Sequence, residues 1–292
     1  MMESWNPGAA RNAILDFVER ATSPGVGFIE PGDRIATFDN DGTLWVEQPL
    51  PVQFNFIFAA LIEAVKETPS LATEQPYKAI IEKDHDFFEK VGLQDPDAVS
   101  ALEGAIARAW HDSTPDRFES EAQSFLEGAR SERFGRPSTE LVYQPMMELL
   151  ELLRTNSFRV FICSGGGRDF MRVMSDNAFG IPRENVIGSA PRYEFRVGQL
   201  HRTDEVLGGV ALGAGKPEHI FAATGRLPAI AGGNSDGDIE MLEAASFRIL
   251  ISHDDAEREF TYTEGAERAF AEAEKSGWTV VSIKNDWKVV FG

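Results

Sequence analysis

The sequence predicts an α/β fold in which a doubly wound, mostly parallel sheet carries an inserted, all-helical cap domain. Three observations support this prediction. Short apolar runs alternate with helical patterns, as they do in a parallel sheet that is covered on both faces. Polar clusters that contain glycine directly follow several of these runs. Finally, the stretch from residue 49 to about residue 138 has apolar residues at helical spacing and no confident strand pattern.

The first predicted elements lead up to the opening strand of the sheet. Helical spacing of apolar residues predicts a helix over residues 9–21. Two Pro-Gly pairs, Pro24-Gly25 and Pro31-Gly32, mark the turns that follow it. The apolar run after these turns predicts a strand over residues 34–39, which ends at an aspartate.

The region that follows is predicted to be helical throughout. Thr114-Pro115-Asp116 is a typical helix start, because it combines a capping hydroxyl with a proline and an acid in the first turn. The predicted helices cover, in order, residues 54–65, 78–91, 98–110 and 118–129. We therefore predict a helical cap domain over residues 47–142.

Beyond Pro145 helices and strands alternate. The predicted helices cover residues 146–154, a stretch after residue 167, a stretch opened by Lys216-Pro217, and residues 239–245. The predicted strands cover residues 158–163, 193–197, 199–202, 229–231, 248–251 and 278–283. Residues 1–46 and 143–292 are therefore predicted to form one catalytic α/β core domain, which the cap interrupts.

The composition limits the kinds of partner that the protein can have. The formal net charge is −19, which disfavours binding to nucleic acid or to an anionic membrane surface. A single cysteine, Cys163, excludes an intrachain disulfide and a thiolate metal cluster. The first residues lack the pattern of a secretory signal, and no apolar stretch has the length of a membrane span. We expect a cytoplasmic protein with a small-molecule partner; the sequence does not predict an oligomeric state.

The strongest chemical signal is the run Asp39-Asn40-Asp41-Gly42-Thr43 at the end of the first strand. Two carboxylates so close together repel each other unless a cation or an anionic reacting group organises them. Asp39 is the candidate nucleophile, because a carboxylate can attack phosphorus and give an aspartyl-phosphate. Asp41 is the candidate general acid for the leaving alkoxide and general base for the attacking water. Gly42 allows a sharp turn, which the Thr43 hydroxyl can brace.

Three further clusters supply groups that suit a phosphate and a cation. Ser164 offers a hydroxyl, and the glycines that begin at Gly165 offer bare backbone amides to an anion. Lys216 offers an ammonium that could offset the charge of the transferring group. The acidic turn over residues 232–238 brings the hard oxygen donors that Mg²⁺ prefers. Because ligands of parallel sheets bind at the carboxyl ends of the strands, these clusters are predicted to line one site.

In this order, and each after an apolar strand, the four clusters resemble the motifs of the haloacid dehalogenase superfamily, in its Asp-based phosphatase branch. Ser164-Gly165-Gly166 is similar to the phosphoserine phosphatase form of the second motif. The resemblance implies a Rossmann-like core and an enzyme that hydrolyses phosphoric monoesters. It implies catalytic roles for Asp39, Asp41 and Lys216, and phosphate-binding roles for Thr43, Ser164, Gly165 and Lys216.

The resemblance also implies a Mg²⁺ cofactor. In this family the metal is held by the side chain of the nucleophile, by the backbone carbonyl of the second aspartate, and by the first acid of the fourth motif. Those positions are Asp39, Asp41 and Asn234 here, with Asp238 close to the metal through water. Asn234 departs from the pattern, because an amide oxygen can bind a cation but brings no negative charge.

The leading interpretation is a Mg²⁺-dependent phosphatase that acts on a small soluble phosphorylated metabolite, with the cap closing over the site. Trp45 and Glu47, just beyond the first motif, are expected to face the entrance. A 2-haloacid dehalogenase is disfavoured, because it would need neither an acid for an alkoxide nor a metal. A phosphate-binding or regulatory protein with little turnover is favoured only by Asn234. A phosphotransferase stays open, because an alcohol could intercept the same phospho-enzyme.

Overall fold

The structure is a computed structural model that describes residues 2–92 and 95–292. The chain packs as two compact units. The first contains the residues up to Pro49 together with Gly128–Ser189 and Gly208–Gly292. The second contains Leu50–Glu127 and Ala190–Leu207. The chain therefore leaves the first unit twice and returns to it both times.

The first unit is built on a large sheet. In chain order, the strands among the described residues are β1 (Ile35–Phe38), β2 (Arg159–Gly167), β3 (Val186–Ser189), β4 (Pro191–Arg196), β5 (Gln199–Val206), β6 (Ile230–Gly233), β7 (Phe247–Asp254), β8 (Thr261–Tyr262) and β9 (Thr279–Ser282). The large sheet has the order β3-β2-β1-β6-β7-β8, and β9 also pairs with β7. The pairings in this sheet are parallel except for that of β7 with β8. The predicted mostly parallel sheet is confirmed.

The register of the central strands places their ends side by side. Phe38, the last residue of β1, pairs with Ile162 of β2 and with Gly232 of β6. Asp39, the first residue after β1, therefore lies at the same level of the sheet as Cys163 and Gly233. The polar clusters that follow these strands consequently lie at the same edge of the sheet, where parallel α/β folds bind their ligands.

Helices flank the sheet and explain why its central strands are apolar. In chain order, the helices among the described residues are α1 (Ala9–Thr22), α2 (Val52–Glu67), α3 (Tyr77–Glu82), α4 (His85–Gly92), α5 (Pro96–Ala109), α6 (Pro115–Gly128), α7 (Gln144–Thr155), α8 (Arg168–Arg172), α9 (Ser175–Phe179), α10 (Gly215–Thr224), α11 (Ile239–Glu243), α12 (Glu267–Ser276) and α13 (Ile283–Asp286). Every residue of β1 and of β6 is buried. Covering both faces of these strands holds the edge that carries the polar clusters in a fixed position.

The second unit combines the helices predicted for residues 47–142 with a hairpin from outside that range. It contains α2 to α6, and it also contains the antiparallel hairpin of β4 and β5. The hairpin belongs here because its backbone pairs with the turn between α5 and α6. The Asp112 amide donates to the Arg202 carbonyl over 3.0 Å, and the Arg202 amide donates to the Ser113 carbonyl over 2.9 Å. The Arg202 guanidinium also lies 4.0 Å from the centroid of the Phe118 ring.

The two compact units divide the chain at different residues from the predicted domains. Residues 128–142 pack with the first unit, and residues 190–207 pack with the second. The role of the second unit as a cap stays a prediction. Among the described residues, no helix is both long enough and apolar enough to cross a membrane.

Some secondary structure differs from the predicted elements. The helix predicted over residues 78–91 is broken into α3 and α4, because Lys83 adopts a left-handed conformation with a φ of 54°. The sequence does not predict β3 and β8, since neither contains an apolar run long enough to indicate a strand. Neither difference affects the edge where the predicted site lies.

Candidate active site

The first motif forms a tight turn directly after β1. The Asp39 amide donates to the Gly232 carbonyl over 2.9 Å, so the turn begins while it is still bonded to β6. Gly42 has a φ of +72°, which favours glycine. A Cβ atom at this position would lie 2.7 Å from Cγ of Asn234 and 2.9 Å from Cδ of Glu47. Glycine is required here both for the backbone conformation and for the close approach of these two side chains.

Lys216 joins the first and fourth motifs. It is the second residue of α10, and its side chain is buried. Its ammonium lies 2.6 Å from Oδ1 of Asp39 and also contacts Oδ1 of Asp238. Cys163, in the middle of β2, lies with its Sγ 3.8 Å from the Lys216 carbonyl oxygen. Lys216 is therefore at the centre of the site. Without its motif, a single lysine in a sequence would be interpreted as a surface residue.

Asp238 holds the fourth motif together. Its Oδ2 accepts hydrogen bonds from the Asn234 amide (3.0 Å), the Ser235 amide (3.0 Å) and the Ser235 hydroxyl (3.1 Å). Its Oδ1 contacts Lys216, and the side chain has no exposed surface. Both carboxylate oxygens are thus engaged by the protein, so Asp238 fixes the positions of Lys216 and of the turn.

Asn234 lies between the first motif and Glu47. The Thr43 hydroxyl donates to Oδ1 of Asn234 over 3.1 Å, and both side chains are buried. Nδ2 of Asn234 donates to Oε1 of Glu47 over 3.2 Å. The predicted metal position and the predicted phosphate-binding threonine are therefore in direct contact.

Asp41 is held by its neighbours in the same turn. Nε1 of Trp45 donates to Oδ1 of Asp41 over 2.9 Å, and Nδ2 of Asn40 donates to Oδ2 over 3.3 Å. Burial raises the pKa of Asp41, although these two hydrogen bonds act to lower it. Trp45 is fully buried, so the expectation that it faces an entrance is wrong. Its indole instead packs in the first unit and orients the predicted general acid.

Ser164 and Gly165 reach the same edge through their strand. Because Ile162 pairs with Phe38, Ser164 lies just beyond the level of Asp39. The buried Ser164 hydroxyl accepts a hydrogen bond of 3.1 Å from the Gly166 amide. A Cβ atom at Gly165 would lie 3.2 Å from the Leu212 side chain. The second motif therefore lies at the predicted edge, with its hydroxyl bonded inside its own loop.

The charges at the centre of the site do not balance. Burial raises the pKa of Asp39 to about 8, against the lowering effect of Lys216 and with a further increase from Asp238. Burial disfavours the ammonium of Lys216, but Asp238 and Asp39 raise its pKa overall. The carboxylates of Asp39 and Asp238 both contact this single cation, and Asp41 follows Asp39 in the same turn. Additional positive charge would stabilise the ionised forms of these acids.

The available donors fit Mg²⁺. The Asp39 carboxylate, the Asp41 carbonyl and the Asn234 side-chain oxygen are all hard oxygen donors. Within residues 2–92 and 95–292, no three His, Cys, Asp or Glu side chains converge as a metal site requires. A cation here would therefore depend on amide and backbone oxygens beside a single carboxylate. This agrees with the habit of Mg²⁺, which takes one or two carboxylates and completes its shell with water and phosphate oxygens.

A buried polar chain behind Gly42 was not predicted. Nε2 of His253 lies 2.8 Å from the Gly42 carbonyl oxygen, and Nδ1 lies 3.1 Å from Oε2 of Glu259. The Tyr143 hydroxyl donates to the other oxygen of Glu259 over 3.0 Å. Because a carbonyl can only accept, Nε2 of His253 carries a proton. The chain anchors the turn of the first motif, and no sequence signal connects residues that are 211 positions apart.

Comparison with known proteins adds a family match. The family profile for haloacid dehalogenase-like hydrolases matches residues 36–243. This range includes all four motifs. None of the curated proteins that were compared matches the chain.

Solved structures with the same fold cover nearly the whole chain. A protein of unknown function from Bordetella pertussis Tohama I is 17% identical with a TM-score of 0.56, over 85% of this chain and 97% of that chain. A functionally unknown protein from Anaerococcus prevotii DSM 20548 is 14% identical with a TM-score of 0.59, over 92% of this chain and 90% of that chain. Cytosolic 5'-nucleotidase IIIB, bound to cytidine, is 14% identical with a TM-score of 0.52, over 96% of this chain and 88% of that chain. At these identities the similarity shows the fold alone.

Proposed function

The chain belongs to the haloacid dehalogenase-like hydrolases, and from this premise we propose that it is a Mg²⁺-dependent phosphatase that hydrolyses small soluble phosphomonoesters through an aspartyl-phosphate. The observation that carries the proposal is the buried contact of Lys216 with both Asp39 and Asp238. A buried lysine that neutralises a carboxylate at the open edge of a parallel sheet is suited to an anionic substrate that approaches that carboxylate.

The first chemical step forms one bond to phosphorus and breaks another. Asp39 attacks through a carboxylate oxygen, the bond from phosphorus to the leaving oxygen breaks, and Asp41 gives its proton to that oxygen. The raised pKa of Asp41 supports this role, because the carboxyl must hold a proton before the step. In the second step Asp41 takes a proton from water, the water attacks phosphorus, and the bond to Asp39 breaks to release phosphate.

The remaining residues bind and orient the phosphoryl group. Lys216 offsets the charge that Asp39 and the phosphate bring together. Ser164 and Gly165 are proposed to bind phosphate oxygens through hydroxyl and amide groups. Thr43, which was predicted to bind phosphate, enters the proposal as a residue that acts through Asn234, because its hydroxyl proton is donated there. Asp238, which was predicted beside the metal, enters the proposal as a residue that acts through Lys216, because both of its oxygens are already bonded.

Asp39, the Asp41 carbonyl and Asn234 are proposed to hold Mg²⁺. When bound, the ion supplies positive charge that shields the phosphate from the attacking carboxylate. The second compact unit is proposed to act as the cap that selects the substrate and excludes water during the reaction.

The proposal is tested by offering a panel of phosphorylated metabolites to the purified protein with Mg²⁺ and measuring the release of phosphate. The Asp39→Asn variant serves as the blank, since any contaminating phosphatase would act equally in both samples. We expect hydrolysis of at least one compound by the wild type, with loss of activity in EDTA. Tight binding of a phosphomonoester without turnover would instead support a binding protein, and activity on a 2-haloacid in EDTA would support a dehalogenase.

The Asp41→Asn variant is expected to lose activity in a way that depends on the leaving group. An asparagine cannot protonate the departing alkoxide, so turnover of an alkyl phosphate should fall by about 10²–10⁴-fold. For p-nitrophenyl phosphate, whose leaving group needs no proton, formation of the aspartyl-phosphate should persist, and rapid quenching should show a burst of p-nitrophenol. Equal losses with both substrates and no burst would contradict the role of Asp41 as a general acid.

A further inference from the structure

Position 234 leaves the proposed metal site one negative charge short. The site offers a single carboxylate, that of Asp39, together with an amide and a backbone oxygen. Asn234 itself is buried.

Glu47 is the carboxylate that accepts a hydrogen bond from the side-chain amide of Asn234. Its Oε1 accepts a hydrogen bond of 3.2 Å from Nδ2 of Asn234. Its carboxyl carbon also lies against Gly42, within 2.9 Å of the place where a Cβ atom would be. Glu47 is only partly exposed. The packing thus places a carboxylate beside Asn234, the residue at the position where the family has an acid.

This contact also sets which end of the Asn234 amide is available to a cation. An ionised carboxylate only accepts hydrogen bonds, so the NH₂ end of the amide must face Glu47. The oxygen end then faces Thr43, whose hydroxyl donates to it over 3.1 Å. A carbonyl-type oxygen has two lone pairs, so one remains after the hydrogen bond from Thr43. Only the oxygen end can bind a metal ion, and Glu47 keeps it turned towards the first motif.

We propose that Glu47 is the acid that compensates for Asn234: it orients the amide as an oxygen ligand and supplies the negative charge that the divalent-cation site would otherwise lack. This inference rests on the proposed Mg²⁺ dependence. Glu47 acts through Asn234 and is therefore a positioning residue. The same contact explains why Gly42 must be a glycine, since any side chain there would separate Glu47 from Asn234.

The inference is tested by measuring the Kd for Mg²⁺ by calorimetry, without substrate, on the full chain. The proteins compared are the wild type, Glu47→Gln, Asn234→Asp and the double variant. Glu47→Gln keeps a hydrogen-bond acceptor for Asn234 but removes the charge. Loss of a partner that orients a metal ligand typically weakens metal binding by about 10–100-fold, and we expect a weakening in this range. Adding Asn234→Asp to Glu47→Gln should restore the Kd to within about threefold of the wild type.

A matched control separates the local effect from the change in net charge. Glu243→Gln removes one exposed carboxylate from the same unit, at the end of α11, and should leave the Kd unchanged. Thermal unfolding in EDTA shows whether each variant is folded. If Glu47→Gln does not fold, the inference is tested with Asn234→Asp alone. If Glu47 already supplies the charge, Asn234→Asp should gain less than about threefold in affinity for Mg²⁺.

The outcomes distinguish the inference from the proposed function. Equal Kd values for Glu47→Gln and Glu243→Gln would overturn the inference and leave the proposed metal dependence intact. A double variant that binds no better than Glu47→Gln, or a gain of about tenfold or more for Asn234→Asp alone, would also overturn it. If the wild type binds neither Mg²⁺ nor Mn²⁺, the metal dependence in the proposed function fails and the inference fails with it.

Discussion

Replacing Asp39 with asparagine is expected to lower the turnover of every phosphomonoester substrate by at least about 10⁴-fold, because an amide cannot form the aspartyl-phosphate. The fold should survive the change. Asparagine has nearly the same shape, and Lys216 keeps its contact with Asp238. The variant also no longer buries a carboxylate whose pKa burial has raised to about 8. Turnover is measured at saturating substrate, and thermal unfolding checks that the variant is folded.

Two companion variants make this result specific to the nucleophile. Asp39→Ala excludes activity that arises when asparagine slowly hydrolyses back to aspartate. Asp33→Asn changes an exposed aspartate shortly before β1 and should keep full activity. Acid-quenched wild-type enzyme should carry a phosphoryl group on Asp39 during turnover. Turnover within about tenfold of the wild type in both Asp39 variants would contradict a covalent mechanism at this residue.

Much of the fold follows from the sequence, because the central strands are buried on both faces. Burial on both faces makes a strand a short continuous apolar run, and β1, β2 and β6 all have this pattern. The hairpin of β4 and β5 was also predicted as two strands around Gly198. Its packing with the second unit was not predictable, because it depends on hydrogen bonds to Asp112 and Ser113, which are far away in the sequence.

The candidate site was predictable only where its residues follow strands. Asp39, Ser164 and Asn234 each come directly after an apolar run, so the topology alone brings them to one edge. Lys216 has no such signal and depended on the resemblance to the family. The contacts of Trp45 and His253 could not be predicted, because three-dimensional packing determines them. Trp45 donates to Asp41. His253 bonds to the Gly42 carbonyl.

The Lys216→Met variant is expected to lose about 3–5 kcal/mol of the free energy of unfolding at neutral pH. Methionine fills a similar volume but leaves Asp39 and Asp238 buried beside each other with no cation. Breaking a buried ion pair by removing one partner is costly for this reason. Turnover should fall as well, because nothing then offsets the charge of Asp39 and the phosphate. The free energy is measured by denaturant unfolding in EDTA.

The matched control is Lys275→Met, which removes an exposed lysine that pairs with Glu272 on the surface of α12. Surface ion pairs contribute little, so its free energy of unfolding should change by no more than about 0.5 kcal/mol. Lys216→Arg retains a positive charge, so its free energy of unfolding should lie between those of the wild type and Lys216→Met. A loss for Lys216→Met no larger than that of Lys275→Met would contradict the central role of the buried contact.

The loss in Lys216→Met should also depend on pH, and its sign follows from the pKa of Asp39. Burial already raises that pKa above its value in the unfolded chain, and Lys216 acts to lower it. Without the lysine the folded-state pKa rises further. A group with a raised folded-state pKa contributes stability that is present below its unfolded pKa of about 3.9 and is lost as the pH rises through the folded value. Asp39 keeps its proton in both folded proteins below about pH 8, so this effect adds to the deficit of the variant only above about pH 8, where the wild-type carboxyl ionises beside the lysine. A deficit that stays constant from about pH 7 to about pH 10 would contradict this effect of the lysine on Asp39.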